Sequence, residues 1–104
     1  MLSLITMNIQ ITGDGFVLSD SVKILVDEKL NQKLEKLLVP FAPEMKTATL
    51  RIEYDQLKNV HLRFDMYLPG KEKIFSETTH KFLESALIDL ENQLERQIEK
   101  YRLH

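Results

Sequence analysis

The chain opens with a strand-like alternation of apolar and polar residues and then changes to a helical period. Met7, Ile9 and Ile11 alternate with polar residues, which is typical of a strand with one buried face, and Gly13 to Gly15 end the pattern. Apolar residues then recur at steps of three and four: Val22, Leu25, Val26, Leu30, Leu34 and Leu37. This spacing predicts a first helix, capped by the hydroxyl of Ser19 and closed before the prolines that follow.

Three further strands are predicted from the period of two that begins at Thr47. Apolar residues occupy alternate positions in two successive runs: Ala48, Leu50, Ile52 and Tyr54, then Val60, Leu62, Phe64, Met66 and Leu68. Pro69 and Gly70 are the pair favoured at the centre of a type II turn. A shorter fourth strand from Lys73 to Glu77 completes a meander.

A long amphipathic helix is predicted over residues 79–104, with Thr78 or Thr79 as its cap. Its apolar stripe comprises Phe82, Leu83, Ala86, Leu87, Leu90, Leu94, Ile98 and Tyr101. Two helices with one apolar face each require an apolar surface to cover, and four strands with one apolar face provide it.

The order of elements predicts an α+β fold, β-α-β-β-β-α. We expect a four-stranded mixed sheet with two helices packed on one face, as in double-stranded-RNA-binding domains. The first two strands should be parallel because a helix connects them, whereas short turns make the later pairs antiparallel. With 104 residues and 43% apolar content, the chain fits one domain with a single core.

Composition limits the functions that the chain can have. The formal charge is −2, so no global positive field draws the protein onto nucleic acid or an anionic membrane, and any RNA contact must come from local patches. The absence of cysteine excludes disulfides and thiolate metal sites and fits a cytoplasmic protein. Residues 1–6 are too short for a signal segment or a membrane span and are interpreted as an N-terminal extension.

No pattern of catalytic or metal-ligating residues stands out. His61, His80 and His104 lack the spacing of metal ligands, and the glycines at 13 and 15 lack the rest of a phosphate-binding loop. We therefore expect no enzymatic activity, metal, cofactor or small-molecule substrate.

The remaining candidate chemistry is electrostatic. On the first helix, Lys29, Lys33 and Lys36 form a row along one edge of the apolar stripe, and Lys23 adds a charge near the start. Such a row can follow a phosphate backbone, although charge alone favours a solvated helix face.

The second helix carries mixed charge. Arg96 and Lys100 are four residues apart, and four carboxylates are predicted on the outer face: Glu84, Glu91, Glu95 and Glu99. Like charges at this spacing repel, so the face either is hydrated or meets a basic partner. On the open sheet face, Arg51, Arg63, His61 and Tyr67 mingle with acidic residues, which cross-strand ion pairs explain without a ligand.

The chain resembles the ribosome hibernation-promoting factor and protein Y family. The resemblance rests on Met-Asn-Ile-Gln-Ile-Thr-Gly at 7–13, the Ser19-capped helix, the meander, and Ala-Leu-Ile-Asp-Leu-Glu-Asn-Gln-Leu at 86–94. It spans residues 7 to 104 and implies a short member without the dimerisation domain of long members. Such proteins occupy the messenger and transfer RNA channel of the small ribosomal subunit during stress or stationary phase and inhibit translation.

The resemblance also implies which residues meet ribosomal RNA. Carried onto this sequence, the cations are Lys23, Lys29, Lys33, Lys36, Arg96 and Lys100. The second helix departs from the family, because Asp89 and Asn92 stand where members commonly show a lysine and an arginine. We expect weakened or altered ribosome binding from this loss of phosphate contacts.

An alternative hypothesis keeps the family fold but replaces RNA with protein. In that case the chain is a protein–protein or homo-oligomeric regulatory module, and its partner surface comprises Glu84, Glu91, Glu95 and Glu99.

Overall fold

The computed structural model describes residues 8–37, 47–68 and 72–102. Several predicted features lie outside these residues: the extension at 1–6, Met7, the prolines after the first helix, the Pro69–Gly70 turn and His104. The described elements, in chain order, are β1 (Asn8–Asp14), helix α1 (residues 20–37), β2 (Thr47–Tyr54), β3 (Val60–Leu68), β4 (Glu72–His80) and α2 (Leu83–Arg102).

The strands form one sheet in the order β1-β2-β3-β4. β1 and β2 are parallel, with Ile9 beside Ala48, whereas the β2–β3 and β3–β4 pairs are antiparallel. Both helices pack on one face of this sheet, so the predicted α+β architecture is confirmed. The alternation along each strand fixes the register, because a slip by one residue would expose every core side chain.

The core lies between the helices and the inner sheet face. Its members are almost completely buried: Val26, Leu30, Leu34, Ala48, Leu50, Ile52, Val60, Leu62, Phe64, Met66, Ile74, Ala86, Leu87, Leu90, Leu94 and Ile98. Each belongs to a run whose period was readable from the sequence, since burial selects the apolar side of every strand and helix.

Helix α1 contains a π-helical turn that the sequence analysis did not predict. The helix is α-helical over Asp20–Val26, π-helical over Asp27–Asn31 and α-helical again over Gln32–Leu37. The Oγ of Ser19 accepts a hydrogen bond from the Val22 N–H at 3.3 Å, which confirms the predicted cap.

The boundary between β4 and α2 differs from the prediction. β4 continues to His80, so Thr78 and Thr79 are strand residues rather than helix caps, and α2 begins at Leu83. Phe82 was assigned to the buried stripe but is 64% exposed, because it precedes the helix. The extra strand residues place polar side chains on the inner face of β4, where α2 satisfies them.

Candidate nucleic-acid interface

Helix α1 presents three of the predicted cations to solvent. Lys23, Lys33 and Lys36 are exposed, and none forms an ion pair with another described residue. Lys33 and Lys36 are neighbours on the helix surface because they are three residues apart. These ammonium groups are therefore available to an anionic partner.

Lys29, the fourth cation of the α1 row, already has a partner. Its Nζ lies 3.4 Å from Oε2 of Glu84 at the start of α2. The side chains of Lys29 and Glu84 are 34% and 58% exposed, so water screens the pair and its contribution to stability is small, below about 1 kcal/mol. The pair nevertheless reduces the positive potential between the helices at this point.

Glu91 does not lie on the outer face of α2, and that part of the prediction was wrong. The residue is only 7% exposed. Burial raises the pKa of its carboxyl group, the negative charge of Glu95 raises it further, and the positive charge of Lys33 acts in the opposite direction. The carboxyl of Glu91 is therefore withdrawn from any external partner, and Lys33 is close enough to influence it.

Arg96 and Lys100 share a shallow depression of about 450 Å³ on α2 with three other residues, Asn92, Glu95 and Glu99. Both cations are exposed and have no ion pair within the described part of the chain. Two carboxylates beside two cations leave this surface with no net charge. It therefore lacks the uniformly positive character expected of a phosphate-binding surface.

Asp89 faces strand β4. Its Oδ2 accepts hydrogen bonds from Oγ1 of Thr78 at 2.5 Å and from Nε2 of Gln93 at 3.3 Å, and it lies 2.9 Å from Nε2 of His80. The hydrogen bond from Thr78, followed by that from His80, lowers the pKa of the Asp89 carboxyl group. This residue therefore has a structural contact that accounts for a carboxylate at a position where the resemblance suggests a cation.

The polar contacts between α2 and β4 continue along the helix. Ser76 Oγ donates a hydrogen bond to Oε1 of Gln93, and Nε2 of Gln97 donates to the Phe75 carbonyl at 2.8 Å. The sequence analysis missed this network. The signal was present in the alternation of Ile74, Ser76 and Thr78, which extends the strand period with polar side chains on the inner face.

The open sheet face contains ion pairs within and between strands, as the sequence analysis proposed. Arg51 lies 3.1 Å from an oxygen of Asp14 and 3.5 Å from one of Glu53, and His61 Nε2 lies 3.1 Å from Glu77. Asp55, which follows β2, caps the β2–β3 turn. Its Oδ1 accepts hydrogen bonds from the backbone N–H groups of residues 57 and 59.

Two aromatic rings on the open face are covered by cations. The Arg63 guanidinium lies 5.7 Å from the ring centre of Phe75, and the Lys73 ammonium lies 5.9 Å from that of Tyr67. These distances permit cation–π attraction. The face therefore satisfies most of its own charges.

No helix among residues 8–37, 47–68 and 72–102 is long and apolar enough to cross a membrane. The same ranges contain no cluster of three or more histidine or acidic side chains arranged to hold a metal ion.

Comparison with known proteins identifies the family. Residues 9–103 match the family model described as Sigma 54 modulation protein / S30EA ribosomal protein. The fold is similar to the crystal structure of the Thermus thermophilus Protein Y N-terminal domain, with a TM-score of 0.72 and 21% identity over 92% of this chain and 100% of that one. A comparison with curated protein sequences gives no significant match. Because the family model covers nearly the whole sequence, the chain belongs to the Sigma 54 modulation protein / S30EA ribosomal protein family, whose members are non-enzymatic ribosome-associated factors.

Proposed function

We propose that this protein binds the small ribosomal subunit and inhibits translation by occupying the channel used by messenger and transfer RNA. The proposal includes a cytoplasmic location and a role in stress or stationary phase, both suggested by family membership. It requires no chemical step, because a protein that fills the channel excludes the natural RNA ligands by occupancy alone.

The observation that best supports RNA contact is the set of exposed lysines on α1. Lys23, Lys33 and Lys36 are each available to a phosphate, since they have no ion pair with a described residue. Lys29 is a weaker contact because it must first leave Glu84. We therefore assign the principal RNA surface to α1.

Helix α2 contributes less in this proposal. Arg96 and Lys100 can reach a phosphate only beside the carboxylates of Glu95 and Glu99. Those carboxylates repel phosphate, so the gain from each cation is partly cancelled. The binding surface is therefore asymmetric between the helices.

The alternative hypothesis, in which acidic residues of the second helix bind a basic protein partner, receives less support. Of its four proposed residues, Glu91 is buried and Glu84 is paired with Lys29. Of the four, Glu95 and Glu99 remain exposed, and both lie beside the cations Arg96 and Lys100.

The test is co-sedimentation of the purified protein with small ribosomal subunits over a series of salt concentrations. The variant Lys23→Glu with Lys36→Glu removes two phosphate contacts without breaking an ion pair or disturbing the charge that acts on Glu91. We expect affinity at moderate salt to fall about 10- to 100-fold and the salt slope to decrease by about 1.5.

A charge-matched control distinguishes the α1 surface from a general charge effect. Arg63→Glu with Lys73→Glu makes the same change in net charge on the open sheet face. We expect this control to bind almost normally. Equal losses in both variants would reject a specific α1 surface, and no binding of the unmodified protein at low salt would reject the function.

A further inference from the structure

An open cleft of about 500 Å³ lies at one end of the sheet, and none of the exposed α1 lysines lines it. β1, β2 and β4 run in the same direction, so the segments that follow Asp14, Tyr54 and His80 meet at this end. The cleft is lined by residues from all three segments. It has no role in the predictions made from sequence.

Aromatic rings form much of the cleft surface. Phe16 and Tyr54 lie side by side, with ring centres 5.0 Å apart and planes inclined at 38°. Phe82 provides a third ring, and Val60 and Leu83 also line the cleft. Tyr54 is 48% exposed and Phe82 is 64% exposed, so both present aromatic surface that a flat ligand can cover.

Gly13 allows Phe16 to reach the cleft. A Cβ atom at this position would lie 2.7 Å from the Phe16 carbonyl oxygen and 3.2 Å from Cγ of Leu18. The loop after β1 can fold back this closely only because glycine has no side chain. The position of the Phe16 ring therefore depends on Gly13.

Two lysines, Lys58 and Lys81, add positive charge to the aromatic surface. Neither forms an ion pair within residues 8–37, 47–68 and 72–102. The ionised carboxylate of Asp55 accepts hydrogen bonds from Leu57 and Asn59 in the turn and does not line the cleft. The cleft lining itself contains two cations and no carboxylate.

Lys58 adopts an unusual backbone conformation. Its φ is +67°, the left-handed region in which glycine or asparagine is normally found, and its N–H donates to the Asp55 carbonyl at 3.0 Å. A residue with a Cβ atom is strained there. Retaining a lysine at a position suited to glycine is a cost to stability that a function of its ammonium group would explain.

We propose that this cleft binds a nucleotide, with the base stacked on the rings of Tyr54 and Phe82 and the phosphate held by Lys58 and Lys81. Aromatic side chains stack on unpaired bases whatever their sequence, and ammonium groups attract phosphate. The proposal concerns residues outside α1 and does not depend on the function proposed above.

The lining of the cleft favours a nucleotide over a peptide. Its seven residues combine aromatic rings with two lysines and no carboxylate, a set that suits a planar base joined to a phosphate. The same chemistry occurs in a free mononucleotide and in an unpaired nucleotide of an RNA strand. The experiment therefore includes both sources.

The test is an NMR titration of the complete chain with AMP and, separately, with a single-stranded adenine hexaribonucleotide. Adenosine tests the binding of the base and sugar alone, and inorganic phosphate tests the binding of the phosphate alone. We expect the signals of Phe16, Tyr54 and Phe82 to shift, with the nucleotide binding more tightly than either half. Binding of AMP would indicate a free nucleotide as ligand, and binding of the RNA alone would indicate an RNA nucleotide; both results support the cleft.

Two variants examine the cleft residues separately. Phe82→Ala removes an exposed ring and should weaken binding at least about fivefold. Lys58→Gly removes the ammonium group and the strained conformation together, so it should weaken binding about threefold or more and raise Tm by about 3 °C. This opposite movement of binding and stability excludes unfolding as the cause of the loss.

Lys73→Ala is the matched control, since it removes one positive charge from the open sheet face, outside both the cleft and α1. It should leave cleft binding and ribosome binding unchanged, and co-sedimentation of the cleft variants with small ribosomal subunits shows separately whether the function proposed above fails. The nucleotide proposal is overturned if neither AMP nor the hexaribonucleotide binds, or if Phe82→Ala and Lys58→Gly bind as well as the unmodified chain. Tighter binding of a short peptide containing aspartate and phenylalanine would also overturn it.

Discussion

Asp89 shows how one carboxylate can join a helix to the edge of a sheet. Thr78 and His80 come from β4 and Gln93 from α2, and all three contact the same carboxylate oxygen. Its pKa is lowered because these hydrogen bonds favour the ionised form. At the scale of the residue, the resulting stability depends on pH.

We predict that Asp89→Asn destabilises the protein by about 1–2 kcal/mol at pH 7, since a neutral amide is a weaker acceptor for these donors. The folded-state pKa lies below the ordinary value of 3.8, so the stabilisation is complete above that value and is lost as pH falls through the lowered pKa. Denaturant unfolding at pH 7 and at successively lower pH should show the difference between the two proteins shrinking. Asp65→Asn, outside this network, is the control. A difference in unfolding free energy that stays constant as pH falls would contradict the predicted pH dependence.

The effect of Glu91 on stability depends on pH in the opposite direction to that of Asp89. Burial and the charge of Glu95 raise its pKa above the ordinary value of 4.5, which means that the folded state disfavours its ionised form. At pH 7 this carboxylate therefore opposes folding, and the penalty disappears as pH falls from the raised folded pKa to below 4.5.

We predict that Glu91→Gln raises Tm at pH 7, because the amide has a similar shape and no charge to desolvate. The gain should decrease as pH falls and be absent below the ordinary pKa. Thermal unfolding monitored by circular dichroism measures both effects. Glu99→Gln, on the exposed side of α2, is the control variant. A lower Tm for Glu91→Gln than for the unmodified protein would contradict the prediction, because it would show that attraction to Lys33 outweighs the cost of burial.

At the scale of the element, the π turn in α1 follows from the spacing of its apolar residues. Val22, Val26, Leu30 and Leu34 are separated by four residues each, and in a regular helix this series would rotate by about 120° around the axis. The wider π turn at Asp27–Asn31 counteracts that rotation, so Val26, Leu30 and Leu34 are all buried. The spacing is visible in the sequence, although the prediction drawn from it is a regular helix.

This explanation predicts that α1 tolerates a deletion. Removing the exposed Glu28 should convert the π turn into an α-helical turn, keep both flanking segments in register and change stability by less than about 1 kcal/mol. Removing the exposed Asn92 from the regular helix α2 should rotate Leu94 and Ile98 by about 100° away from the core and cost more than about 4 kcal/mol. Circular dichroism and denaturant unfolding compare the two variants. Equal damage from both deletions would reject this account.

The boundary of β4 illustrates why some elements cannot be delimited from local pattern. Ser76, Thr78 and His80 lie on the inner side of the strand, where apolar residues are expected. They are tolerated because Asp89 and Gln93 on α2 satisfy them. These hydrogen bonds join residues that are 9–17 positions apart in the sequence. A sequence window that covers only the strand does not include the partners on α2, so its polar residues are read as the end of the strand.

At the scale of the whole molecule, helix packing determines which charges remain available. The approach of α2 to α1 pairs Lys29 with Glu84 and brings Lys33 within electrostatic reach of the buried Glu91. The row of cations predicted on α1 is therefore present but is partly neutralised from the neighbouring helix. With a formal charge of −2, the molecule has no general positive field to compensate.

If α1 contacts ribosomal RNA as proposed, freeing Lys29 should strengthen binding. We predict that Glu84→Gln raises the affinity for small ribosomal subunits about threefold or more at low salt and steepens the salt slope by about 0.8, the contribution of one additional phosphate contact. Co-sedimentation at several salt concentrations measures both quantities. Glu99→Gln changes net charge equally without touching Lys29, so an equal gain in that variant would attribute the effect to net charge alone.

The periodic parts of the chain determined the fold. Alternation in the strands and the spacing of Leu87, Leu90 and Leu94 are local consequences of backbone geometry, and they sufficed to predict the element order, the sheet and the layer of helices. The resemblance to the protein Y family followed from the same segments, and the family match confirms it.

Only the tertiary structure decided which polar groups meet. The burial of Glu91, the pairing of Lys29 with Glu84, the contacts of Asp89 and the convergence of Phe16, Tyr54 and Phe82 each join elements that are distant in sequence. Hydrophobic periodicity specifies which side of an element faces inward, but charge and hydrogen-bond partners depend on how neighbouring elements are placed. The sequence by itself therefore determined the architecture and the family, whereas the packing of α2 against α1 and β4 determined which charged groups are free to bind.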